Sequence, residues 1–369
     1  MPTAATVQGS VGSYPGNASP QGGGTVPFFY GSNYYMEKFF TDTWQLNATQ
    51  QEFVHNITPG GFLRGVRMEV RSSGGVGGTV TPDAPWNVIA SATLENIDGA
   101  PILYPMNGYS YYVGACAFRP WDGDPARRFD FSANQNPSFS LFFRPEVRHT
   151  AAVLANTDAR ALYRFRFTAN AWANVITGGS TAPTMIFTGY AETWAQPDAA
   201  DLHGNTIEPI PPGLNLSSLR RHQIFTLNSA GADNQFQLTN TGNEIRGLAF
   251  VIRDSNQARQ NYFSDPIRWR IDNRAMGTFG PQELENWMSD FYEALSNGTS
   301  QRPQGVYYIP RFYDPGRMVG NAWLATTNTT YCLFETATLA SATNVPGTVE
   351  IITDEVVPVG AVPMEMESI

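Results

Sequence analysis

Leu63-Arg64-Gly65-Val66-Arg67-Met68-Glu69-Val70-Arg71-Ser72-Ser73 is answered later in the chain by Ile245-Arg246-Gly247-Leu248-Ala249-Phe250-Val251-Ile252-Arg253-Asp254-Ser255. Each stretch opens aliphatic-Arg-Gly-aliphatic, runs through a strand-like hydrophobic segment and closes on Arg-x-Ser. They lie 182 residues apart (245 − 63), close to half of the 369-residue chain, and Gly60 and Gly242 repeat at the same spacing. One β module used twice is the reading that this spacing favours.

Weaker echoes follow in the same order. Phe225-Thr226-Leu227-Asn228 answers Trp44-Gln45-Leu46-Asn47 (225 − 44 = 181), and Ile271-Asp272-Asn273 answers Leu94-Glu95-Asn96 (271 − 94 = 177). Pro346-Gly347-Thr348-Val349 answers Pro183-Thr184-Met185-Ile186 (346 − 183 = 163). A spacing that drifts downward is what two copies differing by loop insertions produce.

Between the echoes the pattern is β. Strands are predicted at Thr43–Asn47, Gly61–Ser72, Trp86–Glu95, Ser138–Phe143, Ala161–Ala169 and Thr184–Trp194. In Leu162-Tyr163-Arg164-Phe165-Arg166-Phe167 arginines alternate with aromatics, so one face packs and the other stays polar. Pro101–Tyr112, with four tyrosines and two prolines, reads as a packed irregular connection. Many short strands separated by Gly, Pro and Asn turns indicate an antiparallel sandwich or barrel. Asp124-Pro125 could cap a short helix in the first half. A clear helix opens at Gly280-Pro281, carries Glu283 and Glu285 in its first turn and closes at Asn297-Gly298. Its apolar stripe is Leu284, Trp287, Met288, Phe291 and Leu295.

Residues 1–27 hold no charge and no period, so they read as an arm that a partner must order. Residues 197–214, with four prolines, read as a stiff linker between two halves. Charged residues make up only 15% of the chain, against roughly 25% in ordinary soluble proteins. That scarcity suggests a surface that meets other protein. Lys38 is the only lysine. Arginine suits interfaces through its weakly hydrated, bidentate fork, while coding bias explains the ratio equally well; both readings stay open. A net charge of −9 argues against a nucleic-acid surface. No basic-then-apolar leader and no run near ~18 apolar residues occurs, so neither export nor a membrane span is expected.

Every catalytic or ligand pattern is weak. His55, His149, His203 and His222 are scattered, and Cys116 and Cys332 are expected to be buried structural thiols. Gly74-Gly75-Val76-Gly77-Gly78 leads into no helix and so lacks a phosphate cradle. Asp122-Gly123-Asp124 lacks the remaining ligands of a calcium loop and reads as a turn. Glu192, Glu335 and Glu350 lie on predicted strands, but nothing pairs them at a hydrolase spacing. Trp44, Trp86, Trp172 and Trp194 lie in or beside strands, which favours core packing over sugar stacking. No catalytic, cofactor-binding or metal residue is assigned, and no cofactor or enzymatic activity is expected.

Pro303-Gln304-Gly305-Val306-Tyr307-Tyr308 resembles a Pro-x-Gly-Val-Tyr-Tyr run in the double jelly-roll major capsid proteins of tectiviruses, where it also follows the second-roll helix. Gly61-Phe62-Leu63 resembles the matching position of the first roll, and Leu214-Asn215-Leu216-Ser217-Ser218-Leu219 the start of the second. The likeness covers about residues 40–355. It implies an all-β chain of two tandem eight-stranded jelly rolls, with a helix in the second and a short one in the first. The expected organisation is an arm at 1–27, a first roll at 28–196, a linker at 197–214, a second roll at 215–357 and a tail at 358–369. The implied role is a homotrimeric, pseudo-hexagonal major capsid subunit of an icosahedral bacteriophage with an internal membrane, found in the virion and assembled in the host cytoplasm. The implied partners are further copies of itself, penton, minor capsid or membrane proteins, and the internal membrane through the termini, with no direct nucleic acid. The uncharged arm departs from the Gln/Ala-rich helical segment of that family. The alternative reading is a carbohydrate-binding or carbohydrate-cleaving tandem β-sandwich, such as a spike.

Overall fold

The computed structural model describes residues 24–75, 77–118, 138–146, 153–212, 214, 216–239, 242–291, 304–310, 324–326 and 329–358. The first half runs β1 (Thr25–Val26), α1 (Phe28–Gly31), β2 (Tyr34–Gln45), β3 (Gln51–Asn56), β4 (Gly61–Ser73), β5 (Thr79–Val80), β6 (Ile89–Glu95) and β7 (Pro101–Met106). It continues through α2 (Gly108–Phe118), β8 (Ser138–Phe143), β9 (Leu154–Asn156), β10 (Arg164–Ala169), α3 (Trp172–Val175), β11 (Ile176–Thr177) and β12 (Thr184–Trp194). After β13 (Thr206–Ile207) come β14 (Leu216–Leu227), β15 (Asp233–Leu238), β16 (Glu244–Arg253), β17 (Ile267–Ile271) and β18 (Arg274–Phe279). Then follow α4 (Pro281–Phe291), β19 (Val306–Pro310), β20 (Leu324–Ala325), β21 (Cys332–Ala337) and β22 (Gly347–Pro358).

In the first half a sheet of order β2-β12-β4-β8 faces one of order β3-β10-β6-β7. The second half repeats both, as β14-β22-β16-β19 and β15-β21-β17-β18. Both sheets of each half are antiparallel, and each half places a helix between the fifth and sixth of its eight main strands, α2 in one and α4 in the other. This is the jelly-roll order, twice. Aromatic side chains join the facing sheets, Phe167 to Phe187 in the first roll and Phe250 to Phe334 in the second, with centroids 5.1 and 5.0 Å apart. The aromatic face of β10 is buried as its alternation predicts, while Arg164 and Arg166 turn outward to Glu95.

The two opening stretches are the central strands β4 and β16. Each carries a bulge at its Arg-Gly step. Leu63 and Gly65 lie opposite Thr193 and Glu192, and Ile245 and Gly247 opposite Glu355 and Asp354, so Arg64 and Arg246 are the extra residues. Their neighbour strand breaks at that point in both rolls. β8 pairs with Val66 to Arg71, and β9 resumes opposite Gly61 to Leu63; likewise β19 pairs with Gly247 to Val251, and β20 with Glu244 and Ile245. The backbone N–H groups of Gly60 and Gly242 donate to Asn156 and Thr326, one residue at the same place in each copy. A side chain at Gly65 would put Cβ 2.6 Å from the Phe143 carbonyl and 2.7 Å from the Arg144 Cα, both backbone. Close backbone approach is what this glycine permits.

Two expectations need correction. The stretch expected to be an irregular connection is β7 followed by α2, whose Ser110 N–H donates to the Asn107 side chain at 2.8 Å as an N-terminal cap. Its Gly-Tyr-Ser-Tyr-Tyr-Val-Gly-Ala-Cys-Ala-Phe sequence is apolar all round, so no helical period is visible; such a helix is buried on every side. The helix expected at Asp124 and the Asp122 turn lie outside the described residues, as do residues 1–23, residues 359–369 and the end of the second helix from 292. Finally, pairing registers put Trp44 opposite Met185 and Leu227 opposite Gly347, so the counterpart of Trp44 is Leu227 and not Phe225.

Near the halfway point the chain is tied to its start. Thr25–Val26 pair in parallel with Thr206–Ile207, and Ile207 is buried against Gly31. The Asp201 side chain closes a turn onto the backbone N–H groups of His203 and Asn205, both at 2.8 Å.

Candidate functional site: the seam between the rolls

The site that the fold builds is a contact face. α2 and β7 of the first roll lie against β14, β16 and β22 of the second. The sequence of β16 fits this position. Leu248-Ala249-Phe250-Val251-Ile252 is an unbroken apolar run buried on both faces, whereas Val66-Arg67-Met68-Glu69-Val70 alternates buried and half-buried. The second roll's sheet is thus enclosed between its own partner sheet and the first roll.

Charge is concentrated along this seam. Asp83, in the loop before β6, meets Arg253 Nη2 at 2.9 Å and Arg259 Nη1 at 3.2 Å. Arg253 Nη1 donates to Glu350 Oε2 at 2.9 Å. The other oxygen of Glu350 meets His222 Nδ1 at 2.7 Å and accepts from Ser110 Oγ at 2.6 Å, a bond from α2 across the seam. The Tyr109 ring stacks under Arg259 at 4.5 Å, and Tyr104 under Arg221 at 5.0 Å. Burial alone would push the Glu350 carboxyl up. The bond to His222, the charge of Arg253 and the Ser110 hydroxyl outweigh it and hold the group at about 2. Burial likewise opposes the charge on Arg253, and Asp83 with Glu350 overcomes it and raises the guanidinium.

A second charged set fills the bulges. Arg64 pairs with buried Glu146, and Arg144 pairs with Glu192 through two bonds of 2.5 and 2.7 Å. Arg246 meets Asp354 at 2.5 Å, and Ser218 Oγ donates to the same carboxylate at 2.6 Å. Removing one member of such a buried pair costs about 3–5 kcal/mol, because the survivor is left charged and dry.

The candidates weighed in the sequence do not converge. Glu192, Glu335 and Glu350 lie on three different sheets, and each is paired with an arginine: Arg144, Arg270 and Arg253. His55 meets Asp42 at 2.6 Å and stacks on Phe40, His203 lies in the linker turn, and His149 is outside the described residues. Cys332 is buried and accepts from Trp269 Nε1 at 3.0 Å; of Cys116 only its place on α2 is described. Gly74–Gly78 leads into β5, not a helix. Trp86 stacks on Tyr112 with centroids 3.9 Å apart, and Trp194 meets Tyr34 at 5.5 Å. Among the described residues, no three or more His, Cys, Asp or Glu form a group that could hold a metal, and no helix is long and apolar enough to cross a membrane.

No family model and no curated protein matches the sequence. Solved structures do. The major capsid protein of Sulfolobus turreted icosahedral virus is 14% identical with a TM-score of 0.60, over 88% of this chain and 97% of that one. The major capsid protein P2 of bacteriophage PM2 is 11% identical with a TM-score of 0.54, over 90% and 99%. The PBCV-1 virus capsid protein is 10% identical with a TM-score of 0.58, over 88% and 94%. The fold is therefore a double jelly roll, matched across nearly the whole of each similar chain.

Proposed function

We propose that the chain is a major capsid protein, acting as a homotrimer whose six rolls form a pseudo-hexagonal capsomer of an icosahedral, membrane-containing phage. The observation that carries this reading is the pair of complete rolls, locked side by side through an apolar helix. Such a unit offers a rigid wall with wide flanks and few open sheet edges, which a shell requires. The seam's ion pairs fix one roll against the other, so a tile made from this chain keeps its outline under load. The similar structures are capsid proteins, which supports a structural and non-enzymatic role in the virion. In the same reading residues 1–27 serve as an arm, 28–196 and 215–357 as the rolls, 197–214 as the linker and 358–369 as the tail. Sedimentation of the purified chain tests the proposal. A stable species of about three times the 40.5 kDa chain mass is expected. A monomer with affinity for glycans would overturn it in favour of a tandem sandwich that recognises sugars.

A further inference from the structure

The pairing registers allow the two rolls to be superposed residue by residue. In the first roll Lys38, Tyr190 and Arg67 lie in one row across β2, β12 and β4. In the second, His222, Ile352 and Ala249 form the corresponding row across β14, β22 and β16. One row along, Met36 opposite Glu192 matches Arg220 opposite Asp354, and at the far end Arg71 opposite Ile186 matches Arg253 opposite Thr348.

These matched faces differ in one respect. Arg220, Ile352, Ala249 and Arg253 are all buried, covered by α2 and β7 of the same chain. Met36 is 47% exposed, Lys38 is exposed, Tyr190 and Arg67 are half-buried, and the Arg71 side chain is 60% exposed. Conversely, α2 is enclosed, while its counterpart α4 buries Leu284 and turns Gln282, Glu283 and Asn286 outward. Each chain thus carries one satisfied seam, plus the two halves of a second that it cannot close on itself.

The chemistry of the open halves is complementary. From the Lys38 row to the Arg71 row, the outward positions of β2, β12 and β4 carry three cations, Lys38, Arg67 and Arg71, against one carboxylate, Glu69. The start of α4 carries Glu283 and Glu285. The seam inside the chain sets an apolar helix on a sheet whose charges, Arg220, Arg253, Glu350 and Asp354, are buried in ion pairs; the open one sets an acidic helix start on an exposed basic sheet. We propose that the occupant of the first roll's outer sheet face is α4 of a second copy, with Glu283 and Glu285 against Lys38 and Arg71. This deepens the capsomer reading and rests on it. The contact is heterologous, one patch against a different patch, and such contacts generate rings when the rotation closes. Because its charges lie at an exposed face, this interface weakens with salt more than the buried ion pairs of the seam within the chain do.

Lys38 being the only lysine makes the test sharp. Full-length oligomer reassembled from equal parts of 14N and 15N chains would be treated with a zero-length carbodiimide and digested for mass spectrometry. Lys38 joined to Glu283 or Glu285 in mixed-isotope pairs is the expected product. Sedimentation of Arg71→Glu should show at least tenfold weaker association, restored by adding Glu283→Arg and Glu285→Arg. An oligomer that survives Arg71→Glu unweakened, with Lys38 joined only elsewhere, overturns this interface and leaves the capsomer reading standing. A wild-type chain that stays monomeric at every concentration overturns both.

Discussion

Glu350→Gln tests the seam most directly. The substitution keeps the shape of the side chain and removes its charge, so Arg253 retains Asp83 but loses its second carboxylate, and Ser110 and His222 face an amide. The fall of the Glu350 carboxyl from its ordinary 4.5 to about 2 sets the scale. At about 1.4 kcal/mol per pH unit, that difference is on the order of 3 kcal/mol in favour of the folded chain. A lowered carboxylate contributes fully above its unfolded value and loses the contribution as pH falls through its folded value. The wild type should therefore exceed Glu350→Gln by about 3 kcal/mol at pH 7, and by only about 1 kcal/mol at pH 3. Urea unfolding followed by tryptophan fluorescence reads both numbers. Equal stabilities at pH 7, or a gap that stays constant between pH 7 and pH 3, would refute the assignment of Glu350 as the ionised centre of the seam.

Two further outcomes test other parts of the molecule. Gly65→Ala pushes Cβ into the backbone of Phe143 and Arg144, and should cost about 3 kcal/mol or more, whereas Gly74→Ala, with open space around it, should cost about 1 kcal/mol; thermal melts of the two variants give the comparison. On the proposed capsid reading, removing residues 1–23, which leaves β1 paired to β13, should preserve the expected trimer on sedimentation but abolish closed shells in electron micrographs; normal shells would show that the arm is dispensable.

The repeat was legible because β4 and β16 obey one local constraint. A bulge needs its extra residue, here in both copies an arginine with a buried carboxylate to meet, and at Gly65 a small neighbour where the next strand crosses; those demands hold the Arg-Gly step in place. Edge strands carry no such constraint, which is why Trp44 was matched two residues away from its true counterpart. α2 was missed for a different reason. Periodicity reports a boundary between water and core, and a helix enclosed on all sides has no such boundary. The seam's polar partners were also hidden, since Ser110 and Glu350 stand 240 residues apart (350 − 110). One signal was available: an apolar run without alternation in β16, beside an alternating one in β4, marks the sheet that is covered on both faces.

The enclosure of α2 has a consequence for synthesis. The helix ends at Phe118, but β22, which lies against it, ends only at Pro358. At about 5–20 residues per second the ribosome takes roughly 10–50 seconds to deliver that interval, during which the first roll can fold with a naked greasy ridge on its flank. The ridge stays uncovered through this window until β16, and finally β22, dock against it. Slow codons placed between the rolls would lengthen the exposure and favour aggregation over docking of the second roll.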